Sequence, residues 1–238
     1  MAVKRENESP GVSIVVCTNR PPFFNNILRN YRNQDYERKE LIIVLNNDRI
    51  KREDYQRRAR VCRDVSVYQV PERISLGQCL NCGIQKTRYP LIAKFDDDDY
   101  YSPQYLTEQV KALHRTGSDI VGKHACLVYL EDSRKLLIRS PWERNKRVEF
   151  VQGGTILFHR RVLKKVWFPD RSVGEDVGFL KACRQKGFKT FATNPYHYVY
   201  IRRKNKKSHT WRAGDQFYLN GSISLAVTDD YRRIASRG

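Results

Sequence analysis

No stretch of the 238-residue chain approaches the roughly 18 consecutive apolar residues that a membrane-spanning helix needs. The amino terminus, Met1 to Pro10, alternates charges and has no apolar signal-peptide core, so the chain reads as soluble and cytoplasmic. Two phosphate-binding signatures are also missing. Neither GxxxxGK[ST] nor GxGxxG occurs, which removes the support for P-loop and dinucleotide-binding readings. No second CxxC accompanies Cys79-Leu80-Asn81-Cys82 to complete a zinc tetrahedron, and the six cysteines fall at irregular spacing within apolar segments, as free thiols of a reducing compartment do. Internal repeats and long linkers are absent too, which predicts one large domain. Acidic residues are few, 26 against 45 Lys and Arg, and the resulting charge of +19 attracts polyanions, nucleotide diphosphates or an anionic membrane without choosing among them.

Against that basic background, four consecutive aspartates, Asp96 to Asp99, end the apolar run Leu91-Ile92-Ala93-Lys94-Phe95. Carboxylates about 5 Å apart repel by roughly 3 kcal/mol per pair at an effective dielectric of about 20, so such a cluster at the end of a buried strand calls for a cation. Magnesium uses one or two protein carboxylates plus substrate phosphates and water, and manganese suits the same oxygen ligands. Side chains alternate along an extended chain, so Asp96 and Asp98 share one face, where they could supply those carboxylates, and Asp97 and Asp99 take the other. A solvated acidic turn is the competing reading.

Upstream, Val12–Cys17, Leu41–Leu45 and Val65–Val70 are short apolar or β-branched runs. Between them and Leu91–Asp96 lie helical patterns: Ile27, Leu28 and Tyr31, then 53–63, then Leu76, Leu80 and Ile84. Alternation of apolar strands with helices predicts a mostly parallel α/β sheet covered on both faces. The polar loops Thr18-Asn19, Asn46-Asn47-Asp48 and the aspartates then share the carboxyl edge, where such sheets bind ligands. Ser102 and Pro103 read as the start of a helix carrying Leu106, Val110 and Leu113, with Gly117 as its terminator. Beyond it come a hairpin at 126–138, a strand reached through the flexible pair Gly153-Gly154, a short helix at 161–167, a helix from Glu175-Asp176 to Gly187, and a strand at 189–193. From Tyr196 the chain is aromatic and basic, and Arg202 to Lys207 reads as a solvated loop.

The residues from about Val12 to Thr193 resemble the family 2 glycosyltransferases of the GT-A fold. The resemblance is carried by Thr18-Asn19-Arg20, Asn46-Asn47-Asp48, Gly77 to Ile84, Phe95 to Pro103, Gly153-Gly154 and Glu175-Asp176, in that order and spacing. It implies a nucleotide-binding part over 11–125, a smaller mixed-sheet acceptor part over 126–195, a flexible tail at 1–10, and a basic aromatic segment at 196–238 suited to act as a lid. It implies Asp98 as the ligand of Mn2+ or Mg2+, with His209 as a second candidate. Asp96 would face the ribose and Asp99 would support the site or the donor sugar. Thr18, Asn19, Arg20, Asn47, Asp48, Arg73, Asn81 and Asp97 join them as nucleotide-sugar-binding candidates. Asp176 is implied as the general base that deprotonates the acceptor hydroxyl while it attacks the anomeric carbon opposite the diphosphate. A carboxylate beside Gly174 at a helix start suits that role on chemical grounds, though it also stabilises the helix end.

The function expected is therefore an inverting, metal-dependent hexosyltransferase. Its donor is a nucleoside diphosphate sugar, a UDP-sugar first, and its acceptor is a carbohydrate or other hydroxyl compound of anionic character. The family's range points to bacterial surface polysaccharide biosynthesis, with peripheral contact at an anionic membrane. Asn46 and Asn47 stand where acidic residues often occur in the family, which leaves the base open. A nucleotidyltransferase with a similar metal site and a noncatalytic polyanion-binding protein are the alternatives; the acidic cluster argues against nucleic acid as a partner.

Overall fold

The computed structural model describes residues 9–205 and 213–237. Strands β1 (Val12–Thr18), β2 (Lys39–Asn46), β3 (Val65–Val70) and β4 (Leu91–Phe95) lie parallel in the order β3-β2-β1-β4. They are joined by α1 (Phe24–Arg32), α2 (Arg52–Ala59) and α3 (Leu76–Ile84). Because successive side chains alternate, these strands feed two cores. Ile14, Val16, Leu41 and Ile43 pack with Ile27, Leu28 and Tyr31 of α1 on one face, and Val15, Ile42, Val44 and Ile92 pack with Leu80 and Ile84 of α3 on the other.

Past β4 come the acidic turn, β5 (Tyr100–Tyr101), α4 (Tyr105–Thr116), β6 (Ile120–Gly122), the hairpin β7 (Cys126–Leu130) and β8 (Lys135–Arg139), then β9 (Lys146–Arg147) and β10 (Leu157–His159). The chain continues through α5 (Glu175–Gln185), β11 (Thr190–Ala192), β12 (Tyr198–Arg202), α6 (Asp215–Leu219), β13 (Ser222–Val227) and α7 (Tyr231–Ala235). Strands β10, β6, β11 and β9 extend the first sheet beyond β4, with β10 antiparallel to both of its neighbours. A second sheet, β13-β8-β7-β12-β5, has its own core of Leu127, Leu136, Ile138 and Val199 under Tyr231 and Ile234 of α7.

Several local expectations change. Helix α4 starts at Tyr105 with Gln104 at its cap, not at Ser102. Ser102 is buried, its hydroxyl 2.9 Å from His197 Nδ1 and its N–H donating to the His197 carbonyl at 2.9 Å, so a tertiary partner takes the hydroxyl from the local cap. Gly117 does end the helix, at φ +59°. The boundary at 125/126 does not separate the two sheets, since β9, β10 and β11 return to the first. Nor does the segment from 196 stand apart: β12 lies inside the second sheet between β7 and β5. Cys79, Cys126 and Cys183 are buried free thiols, and Cys17, Cys62 and Cys82 are half-buried free thiols.

Candidate active site

Strand β4 ends at Phe95, so strand alternation does not reach the aspartates and they turn individually. Asp97, Asp98 and Asp99 are buried. Asp97 Oδ2 accepts from Thr18 Oγ1 at 2.5 Å and from Arg20 Nε at 3.2 Å, and Arg20 Nη2 pairs with the other oxygen. Arg20 Nη1 reaches Asp98 Oδ2 at 2.9 Å, so Asp97 and Asp98 share a guanidinium despite the alternation expected of them. Asp99 turns the other way, accepting from Tyr198 Oη at 2.5 Å and from the Ile201 N–H at 3.0 Å. From below, α1 holds the backbone of the turn. Asn26 Nδ2 donates to the carbonyls of Asp97 and Asp99, each at 2.9 Å, and Asn30 Nδ2 donates to Asp99 O at 2.8 Å.

The electrostatics follow from burial. Desolvation pushes Asp97 up to about 6, with repulsion from Asp98 adding and Arg20 opposing. Burial likewise raises Asp99, with Asp98 and Asp96 adding to it. For Arg20 burial disfavours the cation, but Asp97 and Asp98 outweigh it and the pKa is raised.

On the opposite wall, Asp176 lies in the first turn of α5 and is partly exposed, with Oδ1 accepting from the Val177 N–H at 2.7 Å. Gly153 and Gly154 sit between it and the acidic turn. They were expected to lend flexibility, yet neither has a positive φ; they are glycines because there is no room for a side chain. A Cβ on Gly153 would overlap the Asp176 carboxylate, and one on Gly154 would come within 2.7 Å of Asp96 Oδ2. The Gly153–Thr155 turn is tied down by Tyr101 Oη, donating to Gly154 O at 2.6 Å, and by Tyr105 Oη, donating to Thr155 O at 2.9 Å. Asp96 accepts from the buried Lys94 Nζ at 2.6 Å.

The remaining sequence candidates scatter more widely. Asn47 Nδ2 donates to Asn19 O at 2.9 Å and Asp48 Oδ1 accepts from the Glu72 N–H at 3.2 Å, stitching the loops after β1, β2 and β3 into one edge. Arg73 is exposed near that edge. Asn81 spends its amide on Phe168, donating to its carbonyl at 2.9 Å and accepting from its N–H at 3.1 Å, so it clamps α3 to the segment before α5. His209 lies outside the described residues, as do Met1 to Glu8 of the expected tail.

Arg203, like Asn26, Asn30 and Lys94, belongs to the site without having stood out in the sequence. Arg203 Nη1 meets Asp98 Oδ2 at 3.2 Å and Nη2 donates to the Asp98 carbonyl at 2.5 Å. Its neighbour Arg202 is fully buried. The stretch read as a solvated loop therefore begins inside the fold: β12 ends at Arg202, which turns toward Ala213 and Asp215, and delivers the next residue, Arg203, to the acidic turn. Both Arg203 and Arg20 also lie against the Phe23 ring, 4.4 and 4.6 Å from its centroid. The signal available in the sequence was the alternation Tyr198-Val199-Tyr200-Ile201 just before them, a strand pattern.

Among the described residues no three His, Cys, Asp or Glu side chains gather into a metal cage. A divalent ion that takes most of its ligands from diphosphate oxygens and water needs less. Asp98 Oδ2 carries both arginines, while Oδ1 has no hydrogen-bond donor among the described residues. That one carboxylate oxygen fits such an ion.

The sequence profile of the family described as Glycosyl transferase family 2 matches residues 13–167, and the chain belongs to that family. No curated protein sequence matches it. Among solved structures, it is similar to a mannosyltransferase, PcManGT from Pyrobaculum calidifontis, in complex with GDP-Man and Mn2+, at 19% identity and a TM-score of 0.66 over 83% of this chain and 59% of that one. It is also similar to residues 1–349 of TarS from S. aureus in complex with UDP-GlcNAc, at 16% identity and a TM-score of 0.66 over 84% and 62%. The chain thus spans about three fifths of the length of these structures, and the likeness establishes the GT-A fold. Among the described residues no helix is long and apolar enough to cross a membrane.

Proposed function

We propose that the chain is an inverting, metal-dependent glycosyltransferase that moves a hexosyl group from a nucleoside diphosphate sugar to a hydroxyl acceptor, with Asp176 as the base. The observation that carries the reading is the packing of the Asp176 and Asp96 carboxylates against the two sides of the Gly153-Gly154 pair, next to a turn whose Asp98 has an oxygen to offer a cation. Asp98 would hold Mn2+ or Mg2+, which when bound neutralises charge on the departing diphosphate.

The chain's own residues do the rest. Thr18, Asn19, Asn47 and Asp48 line the edge that would take the nucleoside, Asp96 faces the ribose, and Asp97 keeps Arg20 in place. Arg20 and Arg203, already converging on Asp98, are positioned to take the phosphates as hydrogen-bond acceptors in place of the carboxylate. Asp176 removes the acceptor's proton as its oxygen attacks, in a single displacement with no covalent enzyme intermediate. Arg73, Asn81, Asp99 and His209 stay as lesser candidates for holding the donor or the ion. Acceptors in surface glycans, with contact at an anionic membrane face, agree with the charge of +19.

The test is product analysis after a thermal-shift screen of UDP-, GDP- and other sugar nucleotides with and without Mn2+. Free nucleoside diphosphate is expected, and it should disappear in Asp98→Asn and Asp176→Asn variants that still fold. Release of pyrophosphate would mean nucleotidyl transfer instead. Tight, steeply salt-dependent binding of arbitrary duplexes with no nucleotide response would mean a polyanion binder.

A further inference from the structure

Strand β4 reads Leu-Ile-Ala-Lys-Phe, and its lysine is 4% exposed in a strand whose other residues are apolar. A buried ammonium is costly unless paired, and the pairing here is unusual. Lys94 Nζ lies 2.6 Å from Asp96 Oδ1 and 3.9 Å from Glu175 Oε1, and the charge of Asp176 also acts on it. Burial works against the cation, and the three carboxylates together outweigh it. Glu175 is itself buried, and burial raises its pKa while Lys94 opposes that rise. The lysine backbone N–H donates to Ile156 O at 2.9 Å, which fixes β4 to the residue just beyond the Gly153–Thr155 turn. One cation therefore faces carboxylates from two walls of the site: Asp96 from the acidic turn, Glu175 and Asp176 from the start of α5. Without it Asp96 would face Glu175 and Asp176 as like charges and repel them.

We propose that Lys94 is a positioning residue for sugar transfer, an internal tie that sets the spacing between the donor-side carboxylate Asp96 and the base-side pair Glu175 and Asp176. It rests on the reading of Asp176 as the base. A base acts within hydrogen-bond reach of the acceptor oxygen, and a misplacement of about 1 Å costs on the order of 100-fold in rate.

The test uses the full chain and two variants, Lys94→Met and the double variant Lys94→Met with Glu175→Leu, in which the opposed buried charge is removed as well. Three quantities are read. They are the thermal midpoint, the affinity for the sugar nucleotide that stabilises the wild type most, and the rate of nucleoside diphosphate release from it with water as the acceptor. Lys94→Met is expected to keep donor affinity while its rate per folded molecule falls about 100-fold. The double variant should recover the thermal midpoint without recovering the rate, which a lysine serving only to balance buried charge would not produce. A crystal structure of the double variant gives a readout independent of turnover: the Asp96 and Asp176 carboxylates should stand farther apart. Unchanged spacing, or a wild-type rate in either variant, overturns the inference. Asp176→Asn separates the two failures. If it is inactive while Lys94→Met turns over normally, only the role of Lys94 is lost; if Asp176→Asn itself turns over normally, the base assignment is lost and this inference with it.

Discussion

Arg203 Nη1 lies 3.2 Å from Asp98 Oδ2, a contact between residues 105 positions apart that joins β12 to the acidic turn. Arg20 reaches the same oxygen from the end of β1 at 2.9 Å, and the Phe23 ring lies against both guanidinium groups. The carboxylate thus gathers two cations at the place where a diphosphate would arrive.

Arg203→Ala should weaken nucleoside diphosphate binding about 10- to 100-fold, corresponding to the roughly 1.5–3 kcal/mol of a hydrogen bond to a charged group. Calorimetric titration with UDP and GDP in the presence of Mn2+ measures it. Unaltered affinity would remove Arg203 from the donor site and leave it a purely structural partner of Asp98.

Asp97 gives the protein a pH signature. Its native value, about 6, lies above the 3.8 of an ordinary aspartate, so the native state binds this proton more tightly than the unfolded chain does. The stabilisation is therefore fully present below about pH 4 and is lost as pH rises through about 6. Its size is at most about 3 kcal/mol, from about 1.4 kcal/mol per pH unit. Urea unfolding of wild type and Asp97→Asn across that range should show the slope shrinking in the variant; parallel curves would contradict the assignment.

Gly153→Ala puts a methyl group into the Asp176 carboxylate. Because Asp176 is partly exposed and can swing outward, the fold should survive while turnover drops by about 100-fold, the penalty of a misplaced catalytic group. Near-native turnover in the folded variant would show that the carboxylate need not sit where it does.

Away from the site, Lys123 is fully buried and its Nζ pairs with Glu108 Oε2 at 2.6 Å. Burial lowers the lysine pKa and Glu108 opposes that. Glu108→Ala takes away the ammonium's charged partner, leaving it Asn194 Oδ1 at 3.5 Å, and should cost about 3–5 kcal/mol, whereas Lys123→Met leaves a carboxylate that water can still reach and should cost clearly less. Equal losses in denaturant unfolding would refute this asymmetry.

The sequence made the first half of the fold readable because β1 to β4 are short, apolar and regularly separated by helical stripes. The acidic turn announced itself by charge density. Ser102 misled because a good cap residue was claimed by His197, a partner 95 positions away. Gly153 and Gly154 were visible as glycines, but glycine for want of space and glycine for backbone freedom look alike until Asp176 and Asp96 are seen against them. Arg203 stayed hidden for a similar reason: a run of basic residues looks solvated unless the strand before it is known to end at a carboxylate.

The side-chain amides of Asn26 and Asn30, by holding the carbonyls of Asp97 and Asp99 from α1, make the acidic turn a floor that is already set. A donor docking there has no main chain to organise at that point and has only arginine side chains to redirect. Its recognition should accordingly be quick, with little entropic toll, and a substitution at Asn26 or Asn30 should slow association even though neither side chain is the one that grips the sugar nucleotide.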